Sequence, residues 1–218
     1  MESYKREFIQ FLENAGVLKF GDFTAKSGRK IPYFINAGMI KTGDEIATLG
    51  EFYARAYQEK LGNKQAVLYG PAYKGISIAV SAAVALSKHG LNVPFFFNRK
   101  EVKDHGEGGV FVGYVPQAGE EVVIVEDVIT AGTAIRETLP VLFNAADVKV
   151  TDMFISVNRC EVGQNPGKTA VMEVGEEFGI HVHSLIVYDI IEYLEERPEH
   201  AENVARIRAY LEKNGAAK

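Results

Sequence analysis

The sequence is poor in the features that mark secreted, membrane and nucleic-acid-binding proteins. It has one cysteine in 218 residues, Cys160, so an internal disulfide is impossible and a reducing compartment is favoured. No apolar run approaches the roughly 20 residues that a membrane-spanning helix needs. The charged, amphipathic segment 1–16 does not have the pattern of a signal peptide. The net charge of −5 provides no broad cationic surface for nucleic acid. We therefore expect a cytoplasmic globular protein that binds neither membranes nor nucleic acid.

Several common phosphate-binding and catalytic motifs are also missing. There is no G-x-x-x-x-G-K-[ST] phosphate loop, no G-x-G-x-x-G between a strand and a helix, and no G-x-S-x-G or H-E-x-x-H. His181 and His183 share one face of a predicted strand, but no third metal ligand at a suitable spacing accompanies them. These absences exclude the most familiar nucleotide, hydrolase and zinc sites.

Short apolar strands alternate with helical patterns from about residue 65 onwards. Examples are QAVLYGP before GISIAVSAAVALSKHG, and VVIVED before AIRETL. This alternation predicts an α/β fold with a mostly parallel central sheet covered on both faces. Ligands of such sheets bind outside the carboxyl ends of the strands. The rule places residues 70–75, residues 126–133 and the segment after Val157 at one rim of the sheet.

The segment VVIVEDVITAGTAIRE has the most distinctive chemistry at this rim. Val122–Val125 are predicted to form a buried strand, followed by Glu126 and Asp127, a small-residue turn and a helix over Ala134–Leu139 with Thr130 or Thr133 as its N-cap. The free N–H groups of a helix N-terminus suit a phosphate, whereas the two acids suit sugar hydroxyls. The segment thus predicts a sugar-phosphate site. The ordinary alternative is a strand-to-helix turn whose acids are stabilised by the helix dipole, and the local pattern leaves both open. Pro140 is expected to kink or shorten the helix.

Two further segments carry cations towards the same rim. The charged run from Arg99 to Gly109 contains four basic side chains and three glycines. This composition favours a mobile cationic lid that closes on a bound polyanion. Its alternative is a solvated hairpin loop. In the second segment, Lys74 follows a predicted strand between two glycines, where it can bind phosphate as a point charge. The glycines are expected to let a ligand approach the backbone closely. Together the segments predict a site for a phosphorylated sugar that carries further phosphate groups.

Taken together, these motifs resemble those of the type I phosphoribosyltransferases. VVIVEDVITAGTA resembles their motif for phosphoribosyl diphosphate (PRPP), and KFGDFTAKSGRKIPYFINAG, GPAYKGI and FNRKEVKDHGEGG are similar to segments of the bacterial orotate-specific branch. The resemblance covers nearly the whole chain. It implies the type I phosphoribosyltransferase fold in one domain over residues 1–218, with residues 1–40 contributing to a small hood and residues 99–109 forming a long mobile lid loop. It also implies transfer of the phosphoribosyl group from PRPP to orotate in pyrimidine biosynthesis, with Mg²⁺ as cofactor.

The resemblance further implies roles for individual residues. Mg²⁺ is expected to be held through diphosphate and ribose oxygens with no direct protein ligand, and the lid is expected to serve the partner site of a homodimer. The implied catalytic residues are Lys103, His105 and Asp127. The implied PRPP-binding residues are Lys26, Tyr73, Lys74, Arg99, Lys100, Lys103, His105, Glu126, Asp127, Val128, Ile129, Thr130, Ala131, Gly132, Thr133 and Ala134. The implied orotate-binding residues are Phe34, Ile35, Thr130 and Arg159.

The chain departs from bacterial members of that branch at three positions, and two other functions compete. Glu126 replaces an Asp, Ile35 replaces an aromatic residue and Asn158 replaces an Asp, which puts the support of the adjacent Arg159 in question.

A purine phosphoribosyltransferase would share residues 126–133 without needing Arg159 or the N-terminal hairpin. A regulator with this fold would bind PRPP without turnover, but the lid cations are present and no basic nucleic-acid-binding face is evident.

Overall fold

A computed structural model describes residues 1–25, 28–103, 109–130 and 132–216, with only the backbone described for residues 100–103. Within these ranges the strands are β1 Leu18–Thr24, β2 Lys30–Ile35, β3 Val67–Tyr69, β4 Phe95–Lys103, β5 Gly109–Gly113, β6 Glu121–Val128, β7 Lys149–Val157 and β8 His181–Ile186. The α-helices are α1 Ser3–Asn14, α2 Gly43–Leu61, α3 Lys74–Lys88, α4 Thr133–Ala145, α5 Ala170–Phe178, α6 Asp189–Glu195 and α7 Ala201–Asn214.

Six of the strands form the central sheet, in the order β5-β4-β3-β6-β7-β8. All neighbouring pairs are parallel except β4 and β5, which are antiparallel at one edge. The prediction of a mostly parallel sheet is therefore confirmed. Among the described residues, no helix is both long and apolar enough to cross a membrane.

Both faces of the sheet are covered, as the continuous apolar strands predicted. On β6, Val123 and Val125 pack into one core with side chains from α1, α2 and α3, whereas Val122 and Ile124 pack into a second core with α4 and α5. This strand lies in the middle of the sheet between β3 and β7. Residues at its carboxyl end are thus held between two neighbouring strands.

The N-terminal segment forms a separate antiparallel hairpin of β1 and β2. The side chains of β2 alternate, so that Tyr33 and Ile35 are buried while Phe34 is exposed. The predicted helix and hairpin are confirmed at this level. The hairpin's turn includes residues 26 and 27, which lie outside the described residues.

Three predicted boundaries were wrong, and at two of them strand pairing extends further than the local pattern indicated. β6 continues to Val128, since β7 pairs with it as far as Val157, so Glu126 and Asp127 lie within the strand and not after it. β4 continues to Lys103, so residues 99–103 of the predicted lid are strand. α4 begins at Thr133 with Gly132 as its N-cap, so Thr133 is the first helical residue and not the cap.

Pro140 does not have the predicted effect on the length of α4. The helix extends from Thr133 to Ala145 with Pro140 inside it. Pro140 lacks the N–H that would donate to the carbonyl of Arg136, so one hydrogen bond of the helix is lost without ending it.

Candidate active site

Two adjacent acids near the end of β6 form a buried carboxylate pair at the carboxyl end of the sheet. Glu126 is 9% and Asp127 5% exposed. Glu126 Oε1 accepts a hydrogen bond from the Asp127 N–H at 2.9 Å, and Asp127 Oδ1 accepts from the Val128 N–H at 2.8 Å. The buried Tyr53 hydroxyl donates to the carbonyl of Glu126 at 2.6 Å, and the Ser156 hydroxyl donates to the carbonyl of Asp127. The backbone of both acids is therefore fixed by neighbouring elements.

Burial changes the chemistry of this pair. Desolvation, with a further contribution from the adjacent Asp127, raises the pKa of Glu126 to about 8. Glu126 is therefore mainly protonated at neutral pH and can donate as well as accept a hydrogen bond. A carboxyl group that can donate as well as accept a hydrogen bond suits the hydroxyls of a sugar better than it suits a phosphate.

Lys74, the first residue of α3, reaches this pair from the connection between β3 and α3. β3 is a neighbour of β6 in the sheet. Its Nζ lies 2.7 Å from Asp127 Oδ2, in a salt bridge that is half-exposed on the lysine side. Tyr73 precedes it and is 66% exposed. The structure thus brings Tyr73 and Lys74 to the rim that the sequence predicted.

The glycines around Lys74 have a different role from the one predicted. They were expected to let a ligand approach the backbone. Instead, a Cβ on Gly70 would lie 2.2 Å from the carbonyl oxygen of Gly75, and a Cβ on Gly75 would lie 2.9 Å from the carbonyl oxygen of Val125. The glycines therefore allow the β3–α3 connection to pack tightly on itself and on β6.

Asn98 is a supporting residue of this connection that the sequence analysis missed. Its Oδ1 accepts hydrogen bonds from the Ala72 N–H at 3.0 Å and from the Tyr69 hydroxyl at 2.9 Å. Residues 72 and 73 are joined by a cis peptide bond. No local sequence signal identifies Asn98, because its partners lie on another strand.

The segment after β6 presents a helix N-terminus at the same rim. Val128 is half-buried and Ile129 is buried, whereas Thr130, Thr133 and Ala134 are exposed. Gly132 has a φ of +74°, and a Cβ there would lie 2.6 Å from Arg136 Nη1, so only glycine fits without displacing Arg136. The exposed residues and the N-terminal N–H groups of α4 lie where the sequence predicted a phosphate site. Ala131 lies outside the described residues.

Arg159, predicted to bind the carboxylate of orotate, follows β7 near this segment. Its guanidinium lies 5.1 Å from the ring centroid of Tyr33, and its side chain is 11% exposed. It shares a small cleft of about 10 Å³ with Thr130. Asn158, which we expected to affect the support of Arg159, instead accepts a hydrogen bond from the Cys160 N–H at 2.9 Å and shapes the turn.

The other two predicted orotate contacts differ in accessibility. Phe34 is 38% exposed and packs against Phe23, with ring centroids 5.6 Å apart. The side chain of Ile35 belongs to the hydrophobic core, so only its backbone is available to a ligand. A contact of orotate with Ile35 was expected through the backbone, and it stays a prediction.

The predicted lid is only partly described. Arg99 lies in β4, and its Nε is covered and has no hydrogen-bond partner. Lys100 and Lys103 are described only as backbone of the same strand. His105 in the lid and Lys26 in the hairpin lie outside the described residues.

A larger cavity of about 470 Å³ adjoins the rim. Tyr73 and Lys74 line it from one side and residues 37, 38 and 40–43 from another. Lys41 is thus a further cation near the site that sequence reasoning did not select. The lining does not include Asp127 or Thr130, so the cavity extends the rim beyond Lys74.

The carboxylate of Asp127 fits a metal ion that is shared with a substrate. In the described part of the chain, no three His, Cys, Asp or Glu side chains are grouped so that they could hold a metal ion by themselves. Mg²⁺ commonly binds through one or two carboxylates together with substrate phosphates and water. Asp127 is the carboxyl group at the rim that suits such coordination, because the raised pKa of Glu126 disfavours it as a metal ligand, and the expectation that Mg²⁺ has no direct protein ligand stays a prediction.

Comparisons with known proteins agree with this geometry. The family profile described as "Phosphoribosyl transferase domain" matches residues 36–175. An orotate phosphoribosyltransferase of Salmonella agona (strain SL483) is 49% identical over 217 residues, which span 99% of this chain and 100% of the relative. A crystal structure of orotate phosphoribosyltransferase from Francisella tularensis matches 96% of this chain and 100% of its own, with 34% identity and a TM-score of 0.84. A Mycobacterium tuberculosis orotate phosphoribosyltransferase in complex with PRPP shares the fold at 18% identity, with a TM-score of 0.60 over 85% of this chain and 97% of its own. The chain therefore has the type I phosphoribosyltransferase fold and belongs to the orotate phosphoribosyltransferases.

Proposed function

We propose that the chain catalyses transfer of the 5-phosphoribosyl group from PRPP to orotate, giving orotidine 5′-phosphate and diphosphate. The observation that carries this proposal is the arrangement at one rim of the sheet. A buried carboxylate pair, an exposed helix N-terminus and a lysine meet there, and an arginine shares a cleft with the helix-terminal segment. These groups match the hydroxyls, the phosphates and the carboxylate of the two substrates.

Ribose 5-phosphate is bound by β6 and α4 in this proposal. Glu126 and Asp127 bind the ribose hydroxyls, and the segment from Thr130 to Ala134 binds the 5′-phosphate through N–H groups and hydroxyls. Both carboxyl groups are oriented by hydrogen bonds to backbone N–H groups. The sugar is thereby held in one orientation relative to the sheet, which lowers the entropic cost of reaction.

Diphosphate is bound by cations from several segments. Lys74 lies at the rim, and Lys26, Tyr73, Arg99, Lys100, Lys103 and His105 complete the proposed set. Mg²⁺, when bound with the substrate, supplies charge neutralisation on the diphosphate oxygens. Lys74 is already balanced by Asp127 at 2.7 Å, so diphosphate shares this lysine with the carboxylate.

The reaction follows from the distribution of charge. The bond between C1 of the ribose and diphosphate breaks with its electron pair passing to the diphosphate oxygen, while positive charge develops on the sugar ring. A ring nitrogen of orotate supplies the electron pair of the new bond to C1 and releases its proton. Lys103 and His105 stabilise the departing diphosphate, and Asp127 holds the ribose during the transfer.

Orotate is positioned by its carboxylate and its ring. Arg159 and Thr130 line one small cleft, so a base whose carboxylate reaches this cleft lies next to both the arginine and the phosphate segment. Phe34 is proposed to stack on the ring, and Ile35 to contribute backbone contacts. This arrangement favours an anionic base over a purine.

We also propose a homodimer in which the lid of one subunit serves the site of the other, with residues 1–40 contributing to a hood over a single domain. A groove between α2 and α3, lined by Ile46, Val80 and the half-exposed Val84, supports a subunit contact. The test is to mix the variants Lys103→Ala and Asp127→Asn, each of which should be nearly inactive alone. A lid acting between subunits restores activity in the mixed dimer, whereas a lid acting within one subunit does not.

The cytoplasmic location stays a prediction.

The activity itself is tested by the loss of orotate absorbance on mixing the protein with PRPP, Mg²⁺ and orotate. Adenine, hypoxanthine and uracil serve as parallel bases. Turnover with orotate alone supports the proposal, and turnover with hypoxanthine would favour a purine enzyme. Thermal protection by PRPP without turnover of any base would favour a regulator.

A further inference from the structure

Arg159 already has a carboxylate partner within the protein. Glu161 Oε1 lies 2.5 Å from Arg159 Nη2, and the two side chains are 15% and 11% exposed. Nevertheless, Nε and Nη2 of Arg159 and Oε1 of Glu161 are covered and have no well-aligned hydrogen bond. The Nε–Nη2 edge is one of the edges through which an arginine binds a carboxylate with two parallel hydrogen bonds. Glu161 therefore occupies this edge in an imperfect geometry.

Glu161 also has a second cationic neighbour. Arg29, in the N-terminal hairpin, places Nη1 3.4 Å from Glu161 Oε2. The cluster of Arg29, Arg159 and Glu161 thus contains two positive charges and one negative charge. It has the capacity to accept one further carboxylate without leaving any charge unpaired.

The same cleft connects this cluster to the phosphate segment. Thr130, Arg159 and Glu161 all line it, and its volume of about 10 Å³ is too small for a pyrimidine ring. A base that approaches the Nε–Nη2 edge of Arg159 from the side of Thr130 therefore meets Glu161, which already contacts Nη2 at 2.5 Å.

We infer that Glu161 is a positioning residue that competes with the substrate's carboxylate for Arg159, and that Arg29 retains Glu161 when the exchange takes place. This inference rests on the proposed function, because the competing carboxylate is that of orotate or of its nucleotide product. Glu161 compensates the charge of Arg159 inside the protein, and the same contact reduces the affinity for the anionic base. A base without a carboxylate gains nothing from separating the pair.

The test measures binding of two nucleotides that differ only in this carboxylate. Orotidine 5′-phosphate and uridine 5′-phosphate are titrated into the full chain by calorimetry without diphosphate, so no reaction occurs. For Glu161→Gln we expect orotidine 5′-phosphate to bind about tenfold more tightly, the effect of one hydrogen bond to a charged group. Uridine 5′-phosphate should bind within about twofold of its wild-type affinity. The ratio of the two dissociation constants is the readout.

Matched variants separate this effect from loss of structure. Glu13 is the matched control, because it accepts hydrogen bonds from Arg197 at 3.2 Å and from the Tyr193 hydroxyl at 2.7 Å. Glu13→Gln should leave the ratio of the two dissociation constants unchanged. Glu161→Asp keeps the charge but withdraws it from Arg159, so the ratio should rise less than in Glu161→Gln. This variant provides the test if Glu161→Gln does not fold.

The outcomes are distinguishable from those of the proposed function. If the wild type turns over orotate and the ratio in the Glu161 variants is unchanged or lower, the competition is refuted. Equal weakening of both nucleotides would show that Glu161 is merely structural, and preferential weakening of orotidine 5′-phosphate would show that it assists Arg159. A wild type that neither turns over orotate nor binds either nucleotide would refute the proposed function and this inference with it.

Discussion

Replacing Glu126 with glutamine should make the protein more stable at neutral pH. The side chain is 9% exposed, and desolvation together with Asp127 raises its pKa from 4.5 to about 8. Below pH 4.5, Glu126 is protonated in both the folded and the unfolded chain, so its favourable contribution is fully present. Between pH 4.5 and about 8 the unfolded chain loses the proton while the folded chain keeps it. The free energy of unfolding therefore falls as pH rises, by about 1.4 kcal/mol per pH unit.

The size of the effect follows from that window. Two and a half pH units separate the ordinary pKa of 4.5 from pH 7. The free energy of unfolding of the wild type is therefore roughly 3 kcal/mol lower at pH 7 than at low pH because of Glu126. Glutamine resembles the protonated carboxyl group in shape and removes the titration. We expect Glu126→Gln to equal the wild type near pH 4.5 and to exceed its free energy of unfolding by up to about 3 kcal/mol at pH 7.

Urea unfolding from pH 4.5 to pH 9 measures this difference, since contributions of other groups cancel between variant and wild type. Glu121→Gln is the control, because Glu121 lies in the same strand but is 42% exposed and pairs with Lys64 at 3.0 Å. The control should stay within about 0.5 kcal/mol of the wild type across the range. A difference for Glu126→Gln that does not change with pH, or a variant less stable than the wild type at pH 7, would refute the reasoning.

Three further substitutions test other parts of the site. Lys103→Ala should lower kcat by roughly 10²–10³, because the departing diphosphate loses one electrostatic donor, and should change the affinity for orotate little. Full turnover of this variant in the absorbance assay would show that the lid has no role in catalysis. Gly132→Ala should weaken protection by PRPP in thermal shift experiments, because the residue has a φ of +74° and its new Cβ would lie 2.6 Å from Arg136 Nη1; undiminished protection would contradict the assigned phosphate segment. Tyr53→Phe should lower the free energy of unfolding by about 1–2 kcal/mol, since it leaves the buried carbonyl of Glu126 without its 2.6 Å hydrogen bond, and an unchanged urea midpoint would argue against that bond.

Contacts between distant segments could not be predicted from the sequence. Arg29 and Glu161 are 132 positions apart, and nothing in either local pattern indicates that they meet beside Arg159. Asn98 of β4 likewise accepts a hydrogen bond from Ala72, in the connection that follows β3. The glycines at 70 and 75 were assigned to ligand approach because their spacing does not reveal that they pack against each other.

The sequence by itself determined the sheet type and predicted the segment that we propose to bind phosphate and sugar. Both depend on short-range patterns: continuous apolar strands alternate with helices, and acids and small residues follow one another over Glu126–Thr133. Only the tertiary structure decided that β6 continues through the acids, because its length depends on pairing with β7. It also decided the protonation of Glu126 and the pairing of Arg159 with Glu161, because desolvation and ion pairing depend on what surrounds a side chain in space.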